Sequence, residues 1–200
     1  RREADKLIEE GKVKINGKVV TNLATKVSNN DEVEIGRKKI KEDKNKISTV
    51  IVYNKPKGEI VSKKDPQGRR TIYDSLDHKY KHFLSVGRLD YASEGLLLLS
   101  DSVEIVDALM HSDLDRVYKI KVNGVITKPV EEAMQHGLEI EDATSGAYKT
   151  SKIKSMSFAP FLAYDIQSNG EKFSKIKVVI SEGKNRELRR FFAHFGLDVL

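Results

Sequence analysis

Asp90 and Arg88 stand two residues apart in Val86-Gly87-Arg88-Leu89-Asp90, just ahead of the apolar run Gly95-Leu96-Leu97-Leu98-Leu99. A carboxylate carried by a loop onto a rigid strand can have its orientation and solvation set by the fold, as acid, base or nucleophilic chemistry requires. The same Asp reads equally as a turn residue or as half of a surface ion pair. The leucines show no polar alternation and predict a strand buried on both faces. A second segment, Arg116-Val117-Tyr118-Lys119-Ile120-Lys121-Val122, has the period of a strand. Tyr118, Ile120 and Val122 then share one face, with Lys119 and Lys121 on the other. Tyr118 is either a half-buried core tyrosine or a plate on which a base could stack. A third segment, Glu182-Gly183-Lys184-Asn185-Arg186-Glu187-Leu188-Arg189-Arg190, puts four cations within seven residues where a helix should start. Cations there oppose the helix dipole. A buried carboxylate or a phosphate would offset that cost, and a solvated helix face is the plainer alternative.

Other chemistries lack a motif. The chain has no P-loop, no Gly-x-Gly-x-x-Gly and no Gly-x-Ser-x-Gly, so nucleotide, dinucleotide and hydrolase-elbow sites are not indicated. Of five histidines only His78 and His82 are spaced i, i+4, and the flanking Lys79 and Lys81 would repel a cation. A metal site is therefore not expected.

These groups need elements to hold them. The first ten residues pattern as a short helix with Ala4, Leu7 and Ile8 on one face, stopped by Gly11. An Asn16-Gly17 turn within 13–20 predicts a hairpin, and 32–35 a further strand. The lysine-rich stretch 36–46 is read as a linker. Beyond it, strands are expected at 49–53, 83–86, 96–99, 117–122, 148–153, 161–167 and 173–180. Three helices interrupt them. One starts at Asp101 with Glu104 in a capping-box-like position; one spans 128–136 with Pro129 in its first turn; one spans about 185–195, with Leu188, Phe192 and Phe195 on its apolar face and Gly196 ending it. Runs of strands with few helices predict an α+β fold with a mixed, mostly antiparallel sheet, and not a doubly wound one.

The 200 residues carry a net charge of +6, and its placement is uneven. Residues 1–48 hold 13 Lys/Arg against 9 Asp/Glu, a surplus of 4, whereas residues 49–200 hold 23 against 21. A basic patch beside a nearly neutral domain suits a polyanionic partner, although a solvated lysine surface has the same composition. No cysteine is present, which excludes disulfides and thiolate metal sites and is compatible with a reducing cytoplasm. Neither a membrane span nor a signal peptide is expected.

Four ordered motifs carry a resemblance. Asn54-Lys55-Pro56-Lys57-Gly58, Gly87-Arg88-Leu89-Asp90 with Gly95-Leu96-Leu97-Leu98-Leu99, Val117-Tyr118-Lys119, and the stretch 182–190 together resemble the ribosomal RNA pseudouridine synthases of the RsuA/RluB type. The resemblance covers nearly all of 50–200. Residues 1–46, a helix followed by a hairpin and the charged linker, look like the later part of the small RNA-binding domain named after ribosomal protein S-four. The chain is expected to start inside that domain, and the catalytic domain, 47–200, to stop short of the family's usual end. Ala92-Ser93 stands where the family often has Thr, and Ser100-Asp101-Ser102 replaces a common Thr-Asn-Asp.

The resemblance implies that Asp90 is the catalytic carboxylate for converting a uridine to pseudouridine, with neither metal nor organic cofactor. It implies that Tyr118 stacks on the flipped uracil, that Arg189 pairs with Asp90 and keeps it ionised, that Leu188 packs on the target base, and that Arg88 fills or braces the gap left in the RNA. Lys184, Arg186 and Arg190, with Lys12 and Lys14 of the amino-terminal unit, are expected on RNA. The implied partner is ribosomal RNA, of the large subunit in preference to the small, acted on by a cytoplasmic monomer. A non-catalytic RNA-binding assembly protein on the same fold, a transfer-RNA synthase and a nuclease are the competing readings; the last would need a second catalytic group beside Asp90.

Overall fold

A computed structural model describes residues 2–40, 47–148 and 150–200, and the chain divides into two compact units at Ser48/Thr49. In the first unit, helix α1 (Arg2–Glu9) is followed by strands β1 (Val13–Ile15), β2 (Lys18–Val20), β3 (Val33–Ile35) and β4 (Lys38–Ile40) in one antiparallel sheet of order β2-β1-β3-β4. Asn16 and Gly17, at φ 51° and 78°, make the expected hairpin turn, whose mirror-image geometry matches the twist of paired strands. The Asn16 amide also binds Asp31 and takes the N–H of Glu32, tying the turn to the next strand. Strand β4 corrects the linker reading of 36–46. Its lysines sit at a sheet edge, where charge discourages further pairing. Residues 41–46 lie outside the described ones.

The second unit runs β5 (Val50–Lys55), α2 (Ile72–Ser75), β6 (Leu84–Ser85), β7 (Gly95–Ser100), α3 (Val103–Met110), β8 (Arg116–Asn123), α4 (Lys128–His136), β9 (Leu138–Ile140), β10 (Met156–Phe158), β11 (Ala163–Ser168), β12 (Phe173–Ile180) and α5 (Glu187–His194). Strands β5-β7-β6 form one sheet, β11-β12-β8 a second and β10-β9 a third. Every pair of named strands is antiparallel, and among the described residues the parallel component is one bridge, Ile60 to Thr71. The α+β class with mostly antiparallel pairing holds.

Each large sheet closes its own core. Leu97 and Leu99 of β7 pack with Ile72, Tyr73 and Phe83. On the second sheet Ile120, Val122, Ile176 and Val178 pack beneath α4 and α5, where Phe191 sits 5.5 Å from Phe158 and 4.8 Å from Phe161. The leucine run is not buried on both faces. Leu97 and Leu99 are, but Leu96 is 68% exposed and lines the cleft described below. Helix α3 is capped by Ser102, whose Oγ accepts the N–H of Ile105 at 3.2 Å. Asp101 instead takes the Thr49 N–H at 2.9 Å, which fastens the start of β5.

The strand expected at 148–153 is not formed at its described residues, 148 and 150–153. Two of these, Ser151 and Ile153, are held by Arg190, fully buried in α5. Its guanidinium donates to the carbonyls of Ala143, Ile153 and Asn185 and to the Ser151 hydroxyl, so these groups serve a cation and not a strand ladder. This also corrects the expectation that Arg190 contacts RNA. Replacing it with Met should lower stability by about 3 kcal/mol, the cost of leaving such buried acceptors unpaired. Urea unfolding reads this, and a loss under about 1 kcal/mol would mean the loop holds without it.

Candidate active site

The loop after β6 presents Asp90 to the first turn of α5. The Asp90 Oδ2 lies 3.2 Å from Arg186 Nη1 and 3.4 Å from Arg189 Nε. Both arginine side chains are about 15% exposed and that of Asp90 26%, so the cluster is largely withdrawn from water. It borders a cleft of about 640 Å³ that also includes Arg88, Leu96, Tyr118 and Leu188. Pockets that bind small molecules span about 300–1,000 Å³.

The loop is underpinned by Lys55. Period two along β5 puts Lys55 on the same face as Ile51 and Tyr53, and it is fully buried. Its Nζ donates to the carbonyls of Pro56 at 2.9 Å and Ser93 at 2.6 Å, pinning the backbone three residues past Asp90. Burial pushes this ammonium's pKa down, while Glu59, Asp90 and Glu94 push it back up. The Gly58 N–H donates to the Tyr91 carbonyl at 2.8 Å, a second tie to the same loop.

On the other side, the backbone of Arg186 is left-handed, φ 52° and ψ 32°, a conformation costly for a residue with a Cβ. It aims the side chain back across the helix start. Its Nε donates to the Gly146 carbonyl at 2.6 Å, its Nη1 faces Asp90, and its guanidinium carbon lies 4.3 Å from the centre of the Tyr148 ring. Gly146 packs so closely on α5 that a Cβ there would fall 2.4 Å from the Arg189 carbonyl oxygen. Arg189 itself donates to the Val199 carbonyl at 2.7 Å. Burial and the neighbouring Arg186 lower the pKa of Arg189, and Asp90 raises it.

Tyr118 lies on the core-facing side of β8, half-buried at the cleft. Burial pushes its phenol pKa up, Arg116 lowers it, and Glu187 and Asp90 raise it further, so the ring meets a ligand as a neutral phenol. Arg88 is exposed on the cleft rim. Among the described residues no carboxylate lies within ion-pair distance of it. Lys184 reaches inward to the Ser157 carbonyl at 2.7 Å and Glu182 at 2.8 Å. In the amino-terminal unit Lys12 is exposed and paired with Glu10 at 2.7 Å, and the half-buried Lys14 stands opposite Val19 and Glu34.

Asp90, Arg189, Tyr118, Leu188 and Arg88 are thus brought to one cleft. Sequence reasoning passed over Lys55, Gly146, Tyr148 and the turning of Arg186 towards Asp90. Period two puts Lys55 in phase with Ile51 and Tyr53, but Val50 and Val52 make the other face equally apolar, so the burial of Lys55 was not announced. Nothing in the sequence announced the others. Among the described residues no group of three or more His, Cys, Asp or Glu could hold a metal ion.

The chain as a whole finds its match in known proteins. Residues 49–194 match the RNA pseudouridylate synthase family, and the chain belongs to it; it is a pseudouridine synthase, an isomerase. Residues 1–33 match the S4 domain. A Helicobacter pylori protein named uncharacterized RNA pseudouridine synthase is 58% identical over 200 residues, which are 100% of this chain and 76% of that one. The ribosomal large subunit pseudouridine synthase B of Bacillus subtilis is 35% identical over 202 residues, covering 100% of this chain and 77% of its own. A solved pseudouridylate synthase shares the fold with a TM-score of 0.63 at 23% identity, over 100% of this chain and 79% of that one.

The carboxylate that faces the cations of this helix start is Asp90, and Glu187 is a second one within the helix. It is buried and accepts the Lys184 N–H at 2.8 Å. Burial pushes its pKa above the usual carboxylate range, the Lys184 N–H lowers it, and Glu182 adds to the rise. A raised pKa means that the folded protein takes up this proton more readily than the unfolded chain. The stability it contributes is present below about pH 4 and is lost as the pH rises through the raised value. Glu187→Gln keeps the acceptor without the charge. It should exceed the wild type in urea midpoint at about pH 8, with the gap closing towards about pH 4. A wild type that matches or exceeds the variant throughout would refute this.

Proposed function

We propose that this enzyme converts a uridine of ribosomal RNA to pseudouridine, with Asp90 as the catalytic carboxylate. The observation that carries the proposal is the placement of Asp90 between Arg186 and Arg189 at a cleft that also holds Tyr118. The reaction is an isomerisation and balances without a co-reactant. The bond from C1′ to N1 breaks, C1′ bonds to C5, the C5 proton leaves to solvent, and N1 takes up a proton. Cleavage builds positive charge at C1′, and an anion held nearby can stabilise that charge, attack the sugar or base, or remove a sugar proton. In each case the carboxylate must be oriented, which the two guanidiniums do.

A base inside a helix cannot reach this cleft, so the uridine must be extruded. Unstacking costs a few kcal/mol, which stacking on the new surface has to offset. Tyr118 offers an aromatic face and Leu188 an apolar one, while Arg88 on the rim is placed to occupy the space the base leaves. The S4-matching unit, with Lys12 and Lys14, would add phosphate contacts that position RNA without specifying a sequence. The relative from Bacillus subtilis is named for the large ribosomal subunit, which favours large-subunit RNA here. We place the enzyme in the cytoplasm as a monomer, since one chain supplies all the residues of the site; sedimentation as a dimer would overturn the latter. Among the described residues no helix is long and apolar enough to cross a membrane.

The test is tritium release from C5-labelled uridine in unmodified bacterial ribosomal RNA. The wild type should release one equivalent per target uridine, and Asp90→Asn none, while binding RNA with nearly the same affinity. Release by Asp90→Asn, or no release by the wild type from assembled ribosomal precursors, would defeat the assignment. Arg186→Gln should slow single-turnover release about 100-fold, the order of loss expected when a catalytic group is misplaced by about 1 Å. Rates within about threefold of wild type would make Arg186 dispensable to the chemistry.

A further inference from the structure

Strands β8 and β12 pair over their whole length, and one side of the pair faces the core. The other side is uncovered. There Lys119 stands directly opposite Lys177, and Lys121 directly opposite Lys175, all four exposed. Like charges directly opposite each other destabilise an antiparallel pair. Among the described residues none of these lysines forms an ion pair, although Asp165 stands opposite Lys177 on β11. The Lys121 ammonium lies 3.9 Å from the centre of the half-exposed Phe173 ring, which caps the same face. Lys119 and Lys121 also line the cleft that holds Asp90. The face is therefore continuous with the site.

A sheet that accepts two such repulsive pairs, side by side, has its charge compensated by something outside it. We propose that the outward face of β8 and β12 binds the phosphate backbone of the RNA strand leaving the cleft. Along each strand the lysines are spaced by about 7 Å and across the pair by about 5 Å, so the four make a compact cationic block that can follow a run of phosphates. Phe173 offers a ring for an unpaired base at its end. This rests on the reading of the cleft as the site of an RNA-modifying enzyme.

The test uses the full chain and a ribosomal RNA fragment that contains the modified uridine. Binding of wild type and the variant K119Q/K121Q/K175Q/K177Q is measured between about 50 and 200 mM salt. The slope of log affinity against log salt should fall by about 3, close to one for each lysine lost from a phosphate. The variant's thermal midpoint should equal or exceed that of the wild type, because two repulsive pairs are gone. A lower midpoint would mean that the lysines are needed for the fold, and would overturn the argument from repulsion. A slope changed by less than about 1 would overturn the RNA surface, even if the wild type makes pseudouridine. A slope that falls as expected while the wild type makes none would leave the surface standing and remove the reaction. Equal weakening towards polyglutamate of matched length would mark a general anion face and overturn the assignment to RNA.

Discussion

The pairing of Asp90 with Arg186 and Arg189 is the constraint that the catalytic unit is built around. The carboxylate belongs to a loop of the sheet closed over Leu97, Leu99 and Ile72, and the guanidiniums to a helix whose Phe191 packs in the core with Val122 and Ile176. Two hydrophobic cores, each complete in itself, meet through this charged contact at the cleft. Partial burial makes such a cluster sensitive to geometry, because charges withdrawn from water are compensated only where partners are well placed. The buried amine of Lys55 is thus spent on holding backbone carbonyls next to Asp90. The buried guanidinium of Arg190 does the equivalent for the helix start, gathering the loop that carries Gly146 and Tyr148. One cation on each side of the cleft fixes the frame in which the other charges meet.

The left-handed backbone of Arg186 fits the same scheme. An asparagine or glycine would adopt that conformation more cheaply, and Asn185 sits one residue away without doing so. The arginine is held there by the Gly146 carbonyl, the Tyr148 ring and the Asp90 carboxylate together. Strain at one residue is the means by which a helix that begins with cations turns one of them towards the acid.

What the sequence disclosed, and what it withheld, follows the range of the interactions involved. Helix α4 and strand β12 were read with their observed bounds, because Pro129 and strict alternation from Phe173 to Ile180 are local signals. The face assignment of Tyr118 against Lys119 and Lys121 was equally local. The leucines of β7 misled because apolar composition says nothing of coverage, and Leu96 lines an open cleft. The segment 148–153 misled because a side chain about forty residues downstream engages the Ser151 hydroxyl and the Ile153 carbonyl. Strand β4 was hidden by its lysines, which suit an edge as well as a linker. Within the cleft, the residue types could be named from their motifs. The partnership of Arg186 with Asp90 depends on one dihedral angle and a glycine contact, and neither is written in a pattern.

The separation of Asp90 from Arg186 along the chain, 96 residues, also sets an order of events during synthesis. At translation rates of about 5–20 residues per second, Asp90 leaves the ribosome about 5–20 s before the first arginine that can face it. In that interval the loop carries its acid in water, and the sheet beneath already has the residues of its own core. The cleft is closed only by a late helix, so a growing chain can hold one finished core before it has any site. The acid is thereby kept from its arginine partners until both halves of the cleft have been made.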